Sequence, residues 1–386
     1  MIKTEDPKKL CEKLEIAKRQ LKNAKSREEI MAISNYMYLL DDSIGLVSPS
    51  IESFTNKNEY LDTKTNGVMD KKYFTHEGKM MRNYLSQKEF HEKFFERLHK
   101  KTSHLIDSID EDDYSGITPL TEEEYYNIFF EFMNKIGLAK YFDKYVRGRR
   151  IYKTKDSYEN TFGYTLFNPI TKDSDIFIGD LEYDIFSMFT LAHEFGHIYD
   201  LNNFNEDVEK YNEYFYQSFN GEAVSKTFER LFLDFLIENN ILVSEAKDQM
   251  FDMINYNYEY ILSSYIISLI PDILLIDNSY LKLSPTKIYK LVERYFTDKR
   301  NVRRFINKCC DLEVKETYMY AYGDVYSLFL KDRIKQDNYS LDSLGEFFEF
   351  RSDAFNPSML DKLNIDPKKY VKLYKKDIDL LKKQSN

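Results

Sequence analysis

The stretch Thr190-Leu-Ala-His-Glu-Phe-Gly-His197 contains a His-Glu-x-x-His pentad. On a helix, positions i and i+4 share one face, so His193 and His197 can aim two imidazoles at one metal ion. Glu194 sits one step round, close enough to polarise a metal-bound water without being a ligand. A catalytic site of this kind needs a third protein ligand and an open fourth position. Gly221-Glu-Ala-Val-Ser-Lys-Thr-Phe-Glu229 offers that ligand in Glu222, a loop and a return helix beyond His197.

The flanks speak against a surface helix with two idle histidines. Phe186, Phe189, Thr190, Ile198 and Tyr199 make the segment apolar on most sides, which predicts a buried helix. Two imidazoles and a carboxylate buried there cost several kcal/mol unless something coordinates or pairs them. Gly196 in mid-helix costs about 1 kcal/mol relative to Ala, and close approach of another backbone or a ligand would explain it. Ser225 and Glu229 fall on the same helical face as Glu222, where either can support the ligands. Glu229 as a plain surface acid is the bland alternative.

Composition sets the frame around this motif. The chain has 386 residues, with 42% apolar content that includes 29 Phe and 32 Tyr, enough for a large core. Its 12 Gly and 8 Pro favour long helices over a turn-rich β architecture. A net charge of −10 argues against a nucleic-acid or anionic-membrane partner. Cys11, Cys309 and Cys310 form neither a disulfide framework nor a metal-site spacing, which points to a reducing compartment. No apolar export segment opens the chain, and its longest uncharged apolar run, Tyr260–Pro271, is too short to span a bilayer. A cytoplasmic location is the expectation.

In chain order, Leu10, Leu14, Ala17, Leu21 and Ala24 recur at helical spacing. Asn56–Asp70 reads as a polar loop. A second long helix, from about Gly78 to Ser108, carries Phe90, Phe94, Phe95 and Leu98. His76, His91, His99 and His104 near it are expected to be solvated or core-edge rather than a second metal cluster, since no two of them stand at i, i+3 or i, i+4. Ile109–Asp113 reads as an acidic loop, and Thr121-Glu-Glu-Glu124 as a capping box. Arg150–Thr154, Thr161–Phe167 and Asp175–Gly179 read as strands. An edge strand beside a metal helix can bind an extended peptide by strand addition, and Asp175–Gly179 is the candidate.

Asp200–Asn220 reads as a polar, aromatic connector. Helices are expected from Glu222 to about Asn239, over 241–266 and 272–282, after Pro285, and after Asp366-Pro367. Thr317-Tyr-Met-Tyr-Ala-Tyr-Gly323 is a tyrosine-rich strand or helix start. Plain core packing explains it, yet a phenol there could also donate to a developing oxyanion.

Taken together, these motifs resemble the thimet oligopeptidase and oligoendopeptidase F group of zinc metallopeptidases over roughly residues 160–380. Leu191-Ala-His-Glu-Phe-Gly-His197 matches the group's His-Glu-Phe-Gly-His core. Glu222-Ala-Val-Ser225 with Glu229 resembles its Glu-x-x-Ser-x-x-x-Glu segment, in which the first Glu is the third zinc ligand. Tyr318-Met-Tyr-Ala-Tyr322 resembles a segment that supplies a substrate-facing Tyr; Tyr318 is the first choice, with Tyr320 and Tyr322 as alternatives. Ser352-Asp353 and Asn356–Asp366 are similar to the closing segment. The chain departs from the group where Asp200 replaces a His, where Phe350-Arg351 replaces a Gly-Gly, and in having no His after His197.

The resemblance implies a mainly α, two-lobed helical zincin metallopeptidase. It would have a deep channel and a small β-sheet beside the zinc-binding helix. The expected division is an N-terminal helical lobe at 1–147 and a catalytic domain at 148–386. The expected activity is zinc-dependent endopeptidase cleavage of short or unfolded peptides. His193, His197 and Glu222 would hold Zn²⁺, Glu194 would be the general base toward zinc-bound water, and Tyr318 would be the oxyanion donor. A shortened N-terminal lobe would open the channel to an altered substrate set, such as longer chains or one dedicated peptide. Zinc is the default for two His and a Glu, with manganese or cobalt as alternatives. The competing readings are a peptide-binding protein on a catalytically weakened metallopeptidase fold, and a zinc enzyme with a non-peptide substrate.

Overall fold

The computed structural model describes residues 7–47, 87–106, 116–154, 163–179, 182–204, 207–217, 220–269, 290, 293, 314–350 and 358–382. The polar loop 56–70, the acidic loop 109–113, His76, the helices at 272–282 and after Pro285, Cys309-Cys310 and Ser352–Pro357 lie outside the described residues.

Helices α1 (Pro7–Asn23) and α2 (Arg27–Val47) pack on each other through the spacing seen in the sequence. Leu10, Leu14, Ala17 and Leu21 are buried against Ile33, Tyr36, Met37, Leu40 and Ile44. Each such Leu contributes roughly 1.5–3 kcal/mol. Helix α3 spans Lys88–Ile106 and α4 spans Glu122–Lys135. The capping box forms as expected: the Glu124 backbone N–H donates to Thr121 Oγ1, and the Thr121 N–H donates to Glu124 Oε2 at 2.9 Å.

Three strands follow: β1 (Ile151–Thr154), β2 (Gly163–Asn168) and β3 (Asp173–Gly179). Their order is β1-β3-β2, with β1 parallel and β2 antiparallel to β3. The candidate edge strand is therefore central. Ile176 pairs with Ile151 on one side and with Thr165 on the other, so both of its hydrogen-bonding edges are filled. The run Ile176-Phe177-Ile178 has the continuous apolarity of a strand buried on both faces. Ile176 and Ile178 enter the main core, whereas Phe177 faces α1 and α2, stacked by Tyr152 and Tyr164. Lys13 of α1 closes that face with a 2.5 Å ion pair to the buried Asp175.

Helix α5 (Ile185–Asn202) carries the pentad against the other face of the sheet. Asp184 caps it, accepting from the Ser187 N–H at 2.8 Å. The expected connector contains helix α6 (Val208–Gln217). Then come α7 (Ala223–Glu238), α8 (Val243–Leu269), α9 (Val314–Gln336) and α10 (Pro367–Lys382). Helix α7 is the core of the molecule, buried at every position from Ala223 to Ile237. Even its Arg230 is wholly enclosed, donating to Ser327, Asp324 and Asp377, and Tyr370 donates to Asp324 in turn. That network fastens α9 and α10 to α7. Removing one partner of such a buried set typically costs about 3–5 kcal/mol.

Helices α3 and α4, which fall in the expected lobe 1–147, share the main core with the pentad helix. Phe129 packs on Phe195, Phe132 on Phe232, and Phe95 on Tyr318 and Tyr322. Among the described residues, no helix is long and apolar enough to cross a membrane.

Candidate metal centre

The site exists because α5 and α7 cross at almost backbone-to-backbone distance. A Cβ on Gly196 would lie 2.4 Å from Ser225 Cα and 2.9 Å from its nitrogen. A second glycine works from the other side: a Cβ on Gly323 of α9 would lie 2.7 Å from Glu222 Cβ. The first turn of α7 is thereby pressed against the His193–His197 turn, with Glu222 held at the N-terminal boundary of α7.

His193, His197 and Glu222 are the group of three potential ligands that the described residues bring together, all within 4.8 Å of one another. The two Nε2 atoms stand 3.1 Å apart, and Glu222 Oε2 lies 3.4 Å from His193 and 3.8 Å from His197. A tetrahedral ion with bonds of about 2.0–2.1 Å requires ligand–ligand edges of about 3.3 Å. The donor set fits a zinc-sized ion. The His side chains are 18% and 21% exposed against 8% for Glu222, so the group opens to solvent on the histidine side.

The atoms behind the ligands are also built. Glu229 Oε1 lies 2.5 Å from His193 Nδ1, which fixes Nδ1 as the protonated nitrogen and turns Nε2 toward the ion. Ser225 Oγ donates to Glu222 Oε2 at 3.2 Å and to the Glu222 carbonyl at 3.0 Å. Thr165 of β2 donates to Glu194 Oε2 at 2.8 Å. Glu229 and Ser225 were legible from helical spacing, whereas Thr165 was not, because its partner is distant in sequence.

Electrostatics follow from that geometry. Burial resists charge on His193, but the Glu229 hydrogen bond and the carboxylates of Glu229, Glu222 and Glu194 outweigh it and push its pKa up to about 9. Burial also opposes charge on Glu229, yet the His193 contact holds it below the usual carboxylate range. Glu194 moves the other way: burial raises it, and His193, His197 and Thr165 only partly offset that.

A metal must displace the proton of His193, so affinity should rise about tenfold per pH unit below about 9 and level off above it. Glu229→Gln removes the charge that holds that proton, so its plateau should begin at lower pH. It should also bind zinc roughly 10–100-fold more weakly at the plateau. Competition titration with a chromophoric chelator across pH 6–10 reads both effects; an affinity flat with pH in both proteins would contradict the arrangement.

The tyrosine-rich stretch is helical and lies in α9. Tyr318 is fully buried, its hydroxyl donating to the Ser264 carbonyl at 3.0 Å and its ring set against His91 and Phe95. In this arrangement its hydroxyl is taken up by a core carbonyl. Tyr322 is buried too, 2.6 Å from His91 Nδ1, while Tyr320 keeps some exposure and stacks on Tyr260. Tyr318→Phe should therefore cost about 1 kcal/mol of stability and change kcat only a few-fold. A loss of roughly 10²–10³ in kcat would return Tyr318 to the oxyanion role.

Other residues of the sequence reading also find places. Asp200 is buried and accepts from the Tyr214 hydroxyl. His91, expected at the core edge, is wholly inside, where burial pushes its pKa down to about 3. His99 stacks on Tyr258 and Tyr265.

No protein-family model matches the chain, and no curated protein does. Among solved structures, it is similar to one described as a "putative peptidase" from Chlamydophila abortus, with a TM-score of 0.52 at 13% identity. The match covers 90% of this chain but 64% of that one, so the chain spans less than two thirds of its neighbour's length. A structure described as a "putative oligoendopeptidase F" from Bacillus anthracis str. Ames aligns with a TM-score of 0.45 at 12% identity, over 94% of this chain and 68% of that one. The first likeness shows a shared overall fold, which in this chain is mainly α with a small sheet beside the pentad helix.

Proposed function

We propose that the chain is a zinc-dependent endopeptidase acting on short or unfolded peptides. One observation carries this reading. Three ligand atoms converge within 4.8 Å, two of them on the helix whose Glu194 is the neighbouring acid of the pentad and is held by a hydrogen bond.

His193, His197 and Glu222 would hold the ion, with Glu229 and Ser225 fixing the first and last of them. When bound, zinc supplies a Lewis acid for the scissile carbonyl and acidifies a water to a pKa of about 7. Glu194 provides the proton traffic: it accepts the proton of the attacking water and returns it to the departing amine. Its burial suits that task, because a carboxyl with raised proton affinity can hold the proton between the two steps. The partly exposed histidines mark the side from which a peptide would approach. Strand addition, expected at β3 from the sequence, passes to β2, an edge strand whose Thr165 touches Glu194.

The peptide-binding alternative draws on Tyr318, whose hydroxyl is committed to Ser264. A pure binder, however, has no use for a base beside the metal group. Chelation separates the two readings. Peptide cleavage that stops on removal of the metal and returns with one equivalent of zinc supports the peptidase. Peptide capture without cleavage, in the zinc-loaded protein, supports the binder.

A further inference from the structure

Strand β2 does more than border the pentad helix. Its alternation sends Gly163 and Thr165 toward α5, while Tyr164 turns away and donates to Ser43 of α2 at 2.9 Å. The two α5-facing positions bracket the Glu194 carboxylate. Thr165 Oγ1 is 2.8 Å from Oε2 and 3.2 Å from the Glu194 carbonyl oxygen, so one hydroxyl meets both side chain and backbone. At Gly163, a Cβ would stand 3.1 Å from Oε1 and 2.7 Å from Thr190 Cγ2. One carboxylate oxygen is tethered, and the other lies where a Cβ at position 163 would crowd it.

We propose that Thr165 and Gly163 form a cradle that positions Glu194 as a base and keeps it from becoming a metal ligand. The inference rests on the peptidase reading and deepens it. A glutamate beside two metal-ligating imidazoles has two places to go. It can turn to the ion and fill the open coordination position, or it can stay beside it and handle protons. A pentad helix alone does not choose between them. The hydroxyl of Thr165 holds Oε2 on the sheet side, and the missing side chain at position 163 lets Oε1 remain available to a water. Thr165 acts through Glu194 and is a positioning residue. It need not touch substrate.

The test uses the full chain loaded with zinc, as wild type, Thr165→Val, Thr165→Ser and Gly163→Ala, each also in a Glu194→Gln background. Thr165→Val is close to isosteric, and retention of the fold is checked by its thermal melt and by one bound zinc per chain. It is expected to lower kcat roughly 10–100-fold with KM within a few-fold, Thr165→Ser to recover most of that, and Gly163→Ala to lower kcat as well. In the Glu194→Gln background, Thr165→Val should have no further effect, because the group it positions is gone. Crystal structures of the zinc-loaded wild type and Thr165→Val give a readout independent of turnover. The Glu194 carboxylate should leave its place beside position 165 in the variant, and should bind the ion or lie disordered.

Wild-type kcat in Thr165→Val would overturn the proposal. So would an equal loss in the Glu194→Gln background, or a carboxylate that does not move. If the wild type itself cleaves no peptide, the peptidase reading fails, and the two crystal structures still decide whether Thr165 sets the orientation of Glu194.

Discussion

Glu194→Gln is expected to lower kcat by roughly 10²–10⁴ while leaving one zinc per chain and KM nearly unchanged. The amide keeps the size of the carboxyl and can still meet Thr165, whose hydroxyl can donate to its oxygen as it does to Oε2. What it loses is the ability to take a proton. The ligand set His193, His197 and Glu222 is untouched by the change, so metal content should not fall with activity. Loss of zinc together with activity would instead place Glu194 among the ligands. Turnover and metal stoichiometry on the same preparation distinguish the two.

The second large effect is structural. Gly196→Ala places a methyl carbon 2.4 Å from Ser225 Cα, where the neighbour is backbone and has no rotamer to yield. The helices must separate, and α7 is buried at every position from Ala223 to Ile237. Overpacking of this kind costs about 1–3 kcal/mol, occasionally more, and the upper end is expected here. Separation also draws Glu222 and Glu229 away from His193, so zinc affinity should fall at the same time. A urea midpoint and a zinc titration that both match wild type would mean that α5 and α7 do not cross at this point.

These two residues show which parts of the molecule could be read in advance. His193 and His197 are related by helical spacing, as are Glu222 and Glu229, and such spacing is local; a glycine in an apolar helix signals a close approach whatever lies opposite. Gly196 met Ser225 for that reason. The strands were legible as strands for similar reasons, but their order was not. A run such as Ile176-Phe177-Ile178 is buried on both faces, and only the pairing partners reveal that β3 is central and that β1 and β2 are the edges. Helix α6 was hidden because its residues are polar and aromatic rather than evenly apolar.

Tyr318 illustrates a different limit. Tyr318 and Tyr322 stand four residues apart on α9, and a buried tyrosine hydroxyl usually finds a partner. Whether that partner is a substrate or the carbonyl of Ser264 depends on how α8 packs, which no local pattern contains. Thr165 is the same problem inverted. Nothing in Gly163-Tyr-Thr-Leu-Phe167 marks one hydroxyl as important until the strand lies on α5.

The most direct measurement is digestion of a mixed pool of short and long peptides by the zinc-loaded chain, read by mass spectrometry beside its metal-free form. The account predicts new termini at internal bonds, produced only when zinc is bound, with cut positions that report both the length limit and the side-chain preference. An intact pool after long incubation, with the chain still holding one zinc, would contradict it.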